Sequence, residues 1–124
     1  MTIQECYRRL GGNYEEVEGR LMNLRLIQRF IGKFLQDDSF TTLCNSMEEK
    51  NLEVAFRASH TLKGVCQNLG FTTLFHSSEA LTDLLRHEKE KIPEQAYTLL
   101  EDVKRDYADT VAVIQEYLSE NTAV

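Results

Sequence analysis

The sequence predicts an all-α protein, an antiparallel up-down-up-down four-helix bundle preceded by one or two short N-terminal capping helices. Three observations lead there. Apolar residues recur at steps of three and four through long segments, which is the spacing of one helix face. Only one proline and six glycines occur in 124 residues, as suits an ordinary folded, helical chain. No strand pattern, Asn-Gly hairpin or internal repeat intervenes, and short connections make the segments antiparallel neighbours.

The bundle helices are expected at about 21–49, 52–69, 73–90 and 94–119, within a single domain covering residues 1–124. Before them, TIQECYRRL reads as a short helix ending at the flexible pair Gly11-Gly12. Asn13 then stands as the N-cap of a second short helix, YEEVEGRL. From Leu21 an apolar face runs through Leu24, Ile27, Ile31, Phe34 and Leu35 to about Gln36. Asp37-Asp38-Ser39 supplies a break and a fresh cap, and Phe40, Leu43, Cys44 and Met47 carry the stripe on to Glu49 or Lys50. Either a kinked continuation or a new helix satisfies this pattern.

After Asn51, the positions Leu52, Ala55, Ser59, Leu62, Cys66 and Leu69 mark a helix of about five turns that Gly70 ends as a C′ residue. Thr72 or Thr73 caps the next helix, which buries Leu74, Ser78, Leu81 and Leu85 before a charged RHEKEK tail. Pro93 takes the favoured first position of the last helix, where Tyr97, Leu100, Val103, Tyr107, Val111, Ile114 and Leu118 repeat at steps of three and four. At the standard rise its ~26 residues span roughly 39 Å.

Composition narrows the function. A net charge of −6 argues against nucleic acid as a partner, because phosphate binding concentrates lysine and arginine on one face. No apolar run approaches the roughly 20 residues that cross a bilayer, so membrane insertion is not expected, and MTIQECYRRL lacks the pattern of a signal peptide. The three cysteines, Cys6, Cys44 and Cys66, are an odd number without CxxC spacing, which suggests neither a disulfide framework nor a metal site and fits a reducing cytoplasm. The one double glycine lacks the residues of a phosphate-binding loop.

The stretch RASHTLKGVCQNLGF at 57–71 carries the chemistry. Glycine inside a helix costs about 1 kcal/mol relative to alanine, so Gly64 asks for a reason. Turning about 100° per residue places Phe56, Arg57, Lys63, Gly64, Gln67 and Phe71 within about 60° of His60, with Leu62, Val65, Cys66 and Ser59 on the opposite, core side. His60 therefore points outward. Imidazole accepts and releases a phosphoryl group, and a cation one turn away at Lys63 neutralises phosphoryl oxygens. Gly64 removes a side chain beside the ring; the plain alternatives are a solvated lysine and a glycine that admits a neighbouring helix. Gln67 is placed to donate to phosphate oxygens or merely to solubilise, and Asn68 lies about 80° round, where its amide either joins the site or bonds near the helix end. Phe56, Arg57 and Phe71 flank the histidine as anchors for a protein partner, unless the two aromatics tuck against adjoining helices. His76 and His87 are assigned to ordinary surface or helix-end positions.

The run His60-Thr61-Leu62-Lys63-Gly64, continuing with Asn68-Leu69-Gly70-Phe71, resembles the signature of histidine-containing phosphotransfer (HPt) domains. The layout, a short cap and then a bundle whose second long helix bears the histidine, is similar too. The resemblance implies that His60 is phosphorylated by the phospho-aspartate of one response-regulator receiver domain, such as that of a hybrid histidine kinase, and passes the group to another. It implies that Lys63 steadies the phosphoryl group, that Gly64 leaves room for the receiver, and that the receiver brings Mg²⁺, the carrier having no cofactor of its own. The family usually has alanine where Ser59 stands and a small residue where Gln67 stands. Ser59 is small and faces the core; Gln67 either narrows the approach or supplies a hydrogen bond.

Rival readings meet obstacles in the sequence. A histidine kinase needs a separate nucleotide-binding domain, for which the chain has no room, so a carrier that is not an ATP-using enzyme is expected. A di-iron bundle needs inward Glu-x-x-His pairs, and none of the three histidines has glutamate three residues before it. A helical adaptor that binds a signalling partner through the same face without chemistry remains the alternative.

Overall fold

The computed structural model describes residues 1–121, and among them seven helices and no strand form. Two short helices, α1 (Ile3–Arg9) and α2 (Tyr14–Leu21), precede α3 (Leu24–Phe34), α4 (Ser39–Glu48), α5 (Leu52–Leu69), α6 (Thr72–Arg86) and α7 (Glu94–Asn121). Side-chain oxygens cap four of them: Thr2, Asn13, Asn23 and Asn51 accept from the backbone N–H groups of Glu5, Glu16, Leu26 and Val54.

The fold is the antiparallel helical bundle. Helix α5 packs against α4 and α6, α7 packs against α6 and α4, and α3 lies against α5 and α7. Apolar side chains from all the helices share one core, in which Ile27, Ile31, Leu43, Met47, Leu62, Leu74, Leu81 and Ile114 are fully buried. Polar ties cross it: Tyr97 donates to the Met47 carbonyl at 2.6 Å, and Gln28 donates to the Tyr117 hydroxyl at 2.8 Å.

The expected first bundle helix, 21–49, is two helices. Leu21 ends α2, Met22 turns left-handed at φ 53°, and α3 starts afresh behind the Asn23 cap. Beyond Phe34 the amides of Leu35, Gln36 and Asp37 bond three residues back, tightening the last turn until it stops. The Asp37 carboxylate then accepts from the Ser39 N–H at 2.9 Å and opens α4.

Three smaller boundaries move. Residue 71, rather than Thr72 or Thr73, occupies the cap position of α6, without a side-chain cap bond. Helix α6 ends at Arg86, short of the expected 90, because Glu88, Lys89, Glu90 and Lys91 offer the core nothing to bury. Pro93 lies just before α7 and not inside it; its carbonyl accepts from Ala96 at 3.0 Å. At 28 residues α7 is about 42 Å long, and its buried stripe includes Asp106 and Thr110 while Tyr97, Tyr107, Val111 and Leu118 are only half-buried.

The capping helices fasten to the end of α5. Gly70 turns left-handed at φ 71°, and a Cβ there would strike Val17 of α2. A Cβ on Gly12 would strike the Gly70 carbonyl oxygen. Two glycines thus let two backbones meet where the helix bearing His60 ends.

Candidate functional site

Helix α5 divides sharply by face. Ala55, Ala58, Ser59, Leu62, Cys66 and Leu69 are buried against the bundle. Ser59 is satisfied there, its hydroxyl 2.5 Å from that of Thr82 on α6. On the opposite side His60 is exposed, Lys63 and Gly64 are half-exposed, and Gln67 and Asn68 are exposed. The buried stripe anchors the backbone so that this polar face cannot rotate inward.

Around His60 the neighbours differ in role. The Phe56 ring, half-buried, lies 5.9 Å from the imidazole centroid, and the Arg86 guanidinium of α6 sits 5.6 Å over the same ring. Arg57 is exposed and only loosely paired, 3.7 Å from Glu53. No ion pair among the described residues involves Lys63. A Cβ built on Gly64 would meet nothing within 4 Å. No neighbouring helix needs that glycine, so the space beside it is open to an incoming molecule.

Phe71 does not belong to this face. It follows the left-handed Gly70, which carries the chain off the α5 axis, and its side chain is fully buried. Its ring meets Phe34 edge-on at 5.1 Å and Tyr7 at 6.0 Å. A helical wheel projected past Gly70 puts Phe71 on the histidine's side as a partner anchor; the alternative, a ring tucked against adjoining helices, is the one that forms. Val65 departs less, being half-buried where a core position was expected. His76 and His87 are exposed.

Arg20 on α2 was not legible as part of the site. Its guanidinium donates to the carbonyls of Gln67 and Asn68, each at 2.9 Å, while pairing with Glu16 at 2.8 Å. The last carbonyls of a helix lack partners within it, and a cation there also suits the negative end of the helix dipole. The one available signal was a basic residue closing the second capping helix.

The cysteines are free thiols. Burial raises Cys6 to about 11 and pushes Cys66 higher, which keeps both protonated and unreactive.

An exposed imidazole with a cation one turn away and open space beside it is the arrangement found on α5, and a family model described as the Hpt domain matches residues 25–120. The chain belongs to the Hpt domain family. No curated protein and no solved structure matches it. The Hpt family serves phosphorelay histidine phosphotransfer: its members are phosphocarriers rather than kinases and interact with receiver domains of response regulators. Helices α1 and α2 lie outside the matched Hpt region. No helix of this Hpt domain, among the described residues, is long and apolar enough to cross a membrane.

Proposed function

We propose that this Hpt protein is a histidine phosphocarrier in which His60 takes a phosphoryl group from the aspartyl phosphate of one receiver domain and delivers it to the aspartate of another. One observation carries the reading: His60 stands exposed beside Lys63, next to the open space over Gly64. In the accepting step an imidazole nitrogen attacks phosphorus, the bond from phosphorus to the aspartyl oxygen breaks, and the carboxylate leaves. The other ring nitrogen releases its proton, giving neutral phosphoimidazole. Delivery reverses these events on the second receiver.

Lys63 is the charge that steadies the phosphoryl oxygens, and the exposed Gln67 and Asn68 lie about one turn beyond it as hydrogen-bond donors. Phe56 and Arg57 form the edge that the receiver touches. Mg²⁺ belongs to the receiver, and the carrier works without a cofactor or a nucleotide, in the cytoplasm, as one domain. A hybrid kinase's receiver suits the part of donor in the accepting step.

The test is transfer of label. Incubation with a ³²P-labelled receiver and Mg²⁺ is expected to yield an acid-labile, base-stable phosphate on the protein, absent from His60→Gln. A protein that binds receivers yet never takes label is the adaptor, and the carrier reading then fails.

A further inference from the structure

A groove of about 340 Å³ opens between α2, α3 and α5, within the roughly 300–1,000 Å³ usual for ligand clefts. Leu21, Phe30, Phe34, Val65 and Leu69 give it an apolar lining. Arg20 and Lys33 stand in its wall, against a single acid, Asp37, whose carboxylate already accepts from the Ser39 amide. Val65 and Asn68 of the groove lie five and eight residues beyond His60, about 8 and 12 Å along the helix axis. Asn68, about 80° round α5 from His60, brings the rim of the groove to the edge of the exposed histidine face, while Val65, about 140° round, lies deeper on the core side.

Its charge is unlike that of the rest of the molecule. From Gly19 to Gln36 the chain carries Arg20, Arg25, Arg29 and Lys33 and no acidic residue, although the whole chain has a net charge of −6. Arg25, Arg29 and Lys33 succeed one another at single turns of α3, all exposed, and none joins an ion pair among the described residues. Lys33 Nζ stands 5.9 Å over the Phe30 ring that lines the groove. Among the described residues the two exposed large apolar side chains, Met22 at 82% and Leu24 at 47%, sit at the turn between α2 and α3 and at the start of α3, beside the same stripe. Such a combination of apolar recess and unpaired cations complements an apolar side chain set among carboxylates.

We propose that this groove selects the receiver that exchanges phosphoryl groups with His60, by taking a bulky apolar side chain from an acidic segment of that receiver while its carboxylates face Arg25, Arg29 and Lys33. The inference rests on the phosphocarrier reading. Arg20 and Leu21 lie outside the matched 25–120, so the capping helix α2 adds a selective contact to the bundle.

The experiment measures transfer from receiver domains encoded in the same genome, each charged with acetyl phosphate, across receiver and salt concentrations. Arg29→Glu combined with Lys33→Glu changes only exposed side chains, and Val65→Trp fills the groove; circular dichroism checks that both variants fold. Each variant is expected to raise KM for the cognate receiver roughly tenfold at little change in saturating rate, and the charge reversal to flatten the salt dependence. Unchanged KM and salt slope in the charge-reversed protein, with the wild type labelled normally, overturns the groove proposal alone. Failure of every receiver to label the wild type sinks the carrier reading and this one with it. Binding of the wild type to phosphatidylglycerol vesicles, lost on charge reversal while transfer is unaffected, reassigns the stripe to a lipid surface and also overturns the proposal.

Discussion

The Tyr7 hydroxyl donates a buried hydrogen bond of 2.7 Å to the Leu69 carbonyl, joining residues 62 positions apart. The first capping helix is thereby tied to the last turn of the helix that presents His60. Tyr7→Phe keeps the ring against Tyr14 and Phe71 and leaves a buried carbonyl without this donor. A loss of about 1–3 kcal/mol is expected in urea unfolding. An unchanged midpoint and slope would show that the tie contributes nothing.

Gly64→Ala should move stability and transfer in opposite directions. The new methyl meets nothing, so helix propensity alone predicts a gain of roughly 0.5–1 kcal/mol in urea unfolding. Receiver-to-His60 transfer should fall by about tenfold or more, since small misplacements of reacting groups are costly. A more stable protein with undiminished transfer would remove clearance as the reason for this glycine.

Lys63→Ala tests electrostatic support for the phosphoryl group. The side chain holds no ion pair among the described residues, so unfolding should change little, while single-turnover transfer slows roughly tenfold. Equal rates for the variant and the wild type would reduce Lys63 to a surface charge.

Alkaline pH should weaken the fold. Burial raises the Cys6 thiol from its ordinary 9.0 to about 11, and raises Cys66 and Tyr7 further. The folded state therefore holds these protons after the unfolded chain releases them. The Cys6 contribution is intact below pH 9 and is lost as pH climbs from 9 through 11. That of Cys66 declines from pH 9 and that of Tyr7 from pH 10, each of the three at up to about 1.4 kcal/mol per pH unit. Urea midpoints measured between pH 8 and 10.5 should fall above pH 9, less steeply in Cys6→Ala. A flat profile for the wild type contradicts this assignment.

Much of the architecture was legible because helices announce themselves locally. Spacing of three and four separated Leu62, Cys66 and Leu69 from His60, and Asn13 and Asn51 cap as short polar side chains do. The break at 35–38 was visible as Asp37-Asp38-Ser39, but a kink and a new helix share that pattern; the tightened turn after Phe34 decided for two helices. Phe71 misled because a wheel assumes one continuous axis, and Gly70 at φ 71° ends it.

Periodicity, caps and the rare glycines and proline are properties of neighbouring residues, so the α-helical class and the outward direction of His60 follow from them. The burial of Phe71, the bonds from Arg20 and Tyr7 to the end of α5, and the basic groove beside Val65 follow from no local pattern. They join residues roughly forty to sixty positions apart in sequence, and only packing of the capping helices onto the bundle brings those residues together.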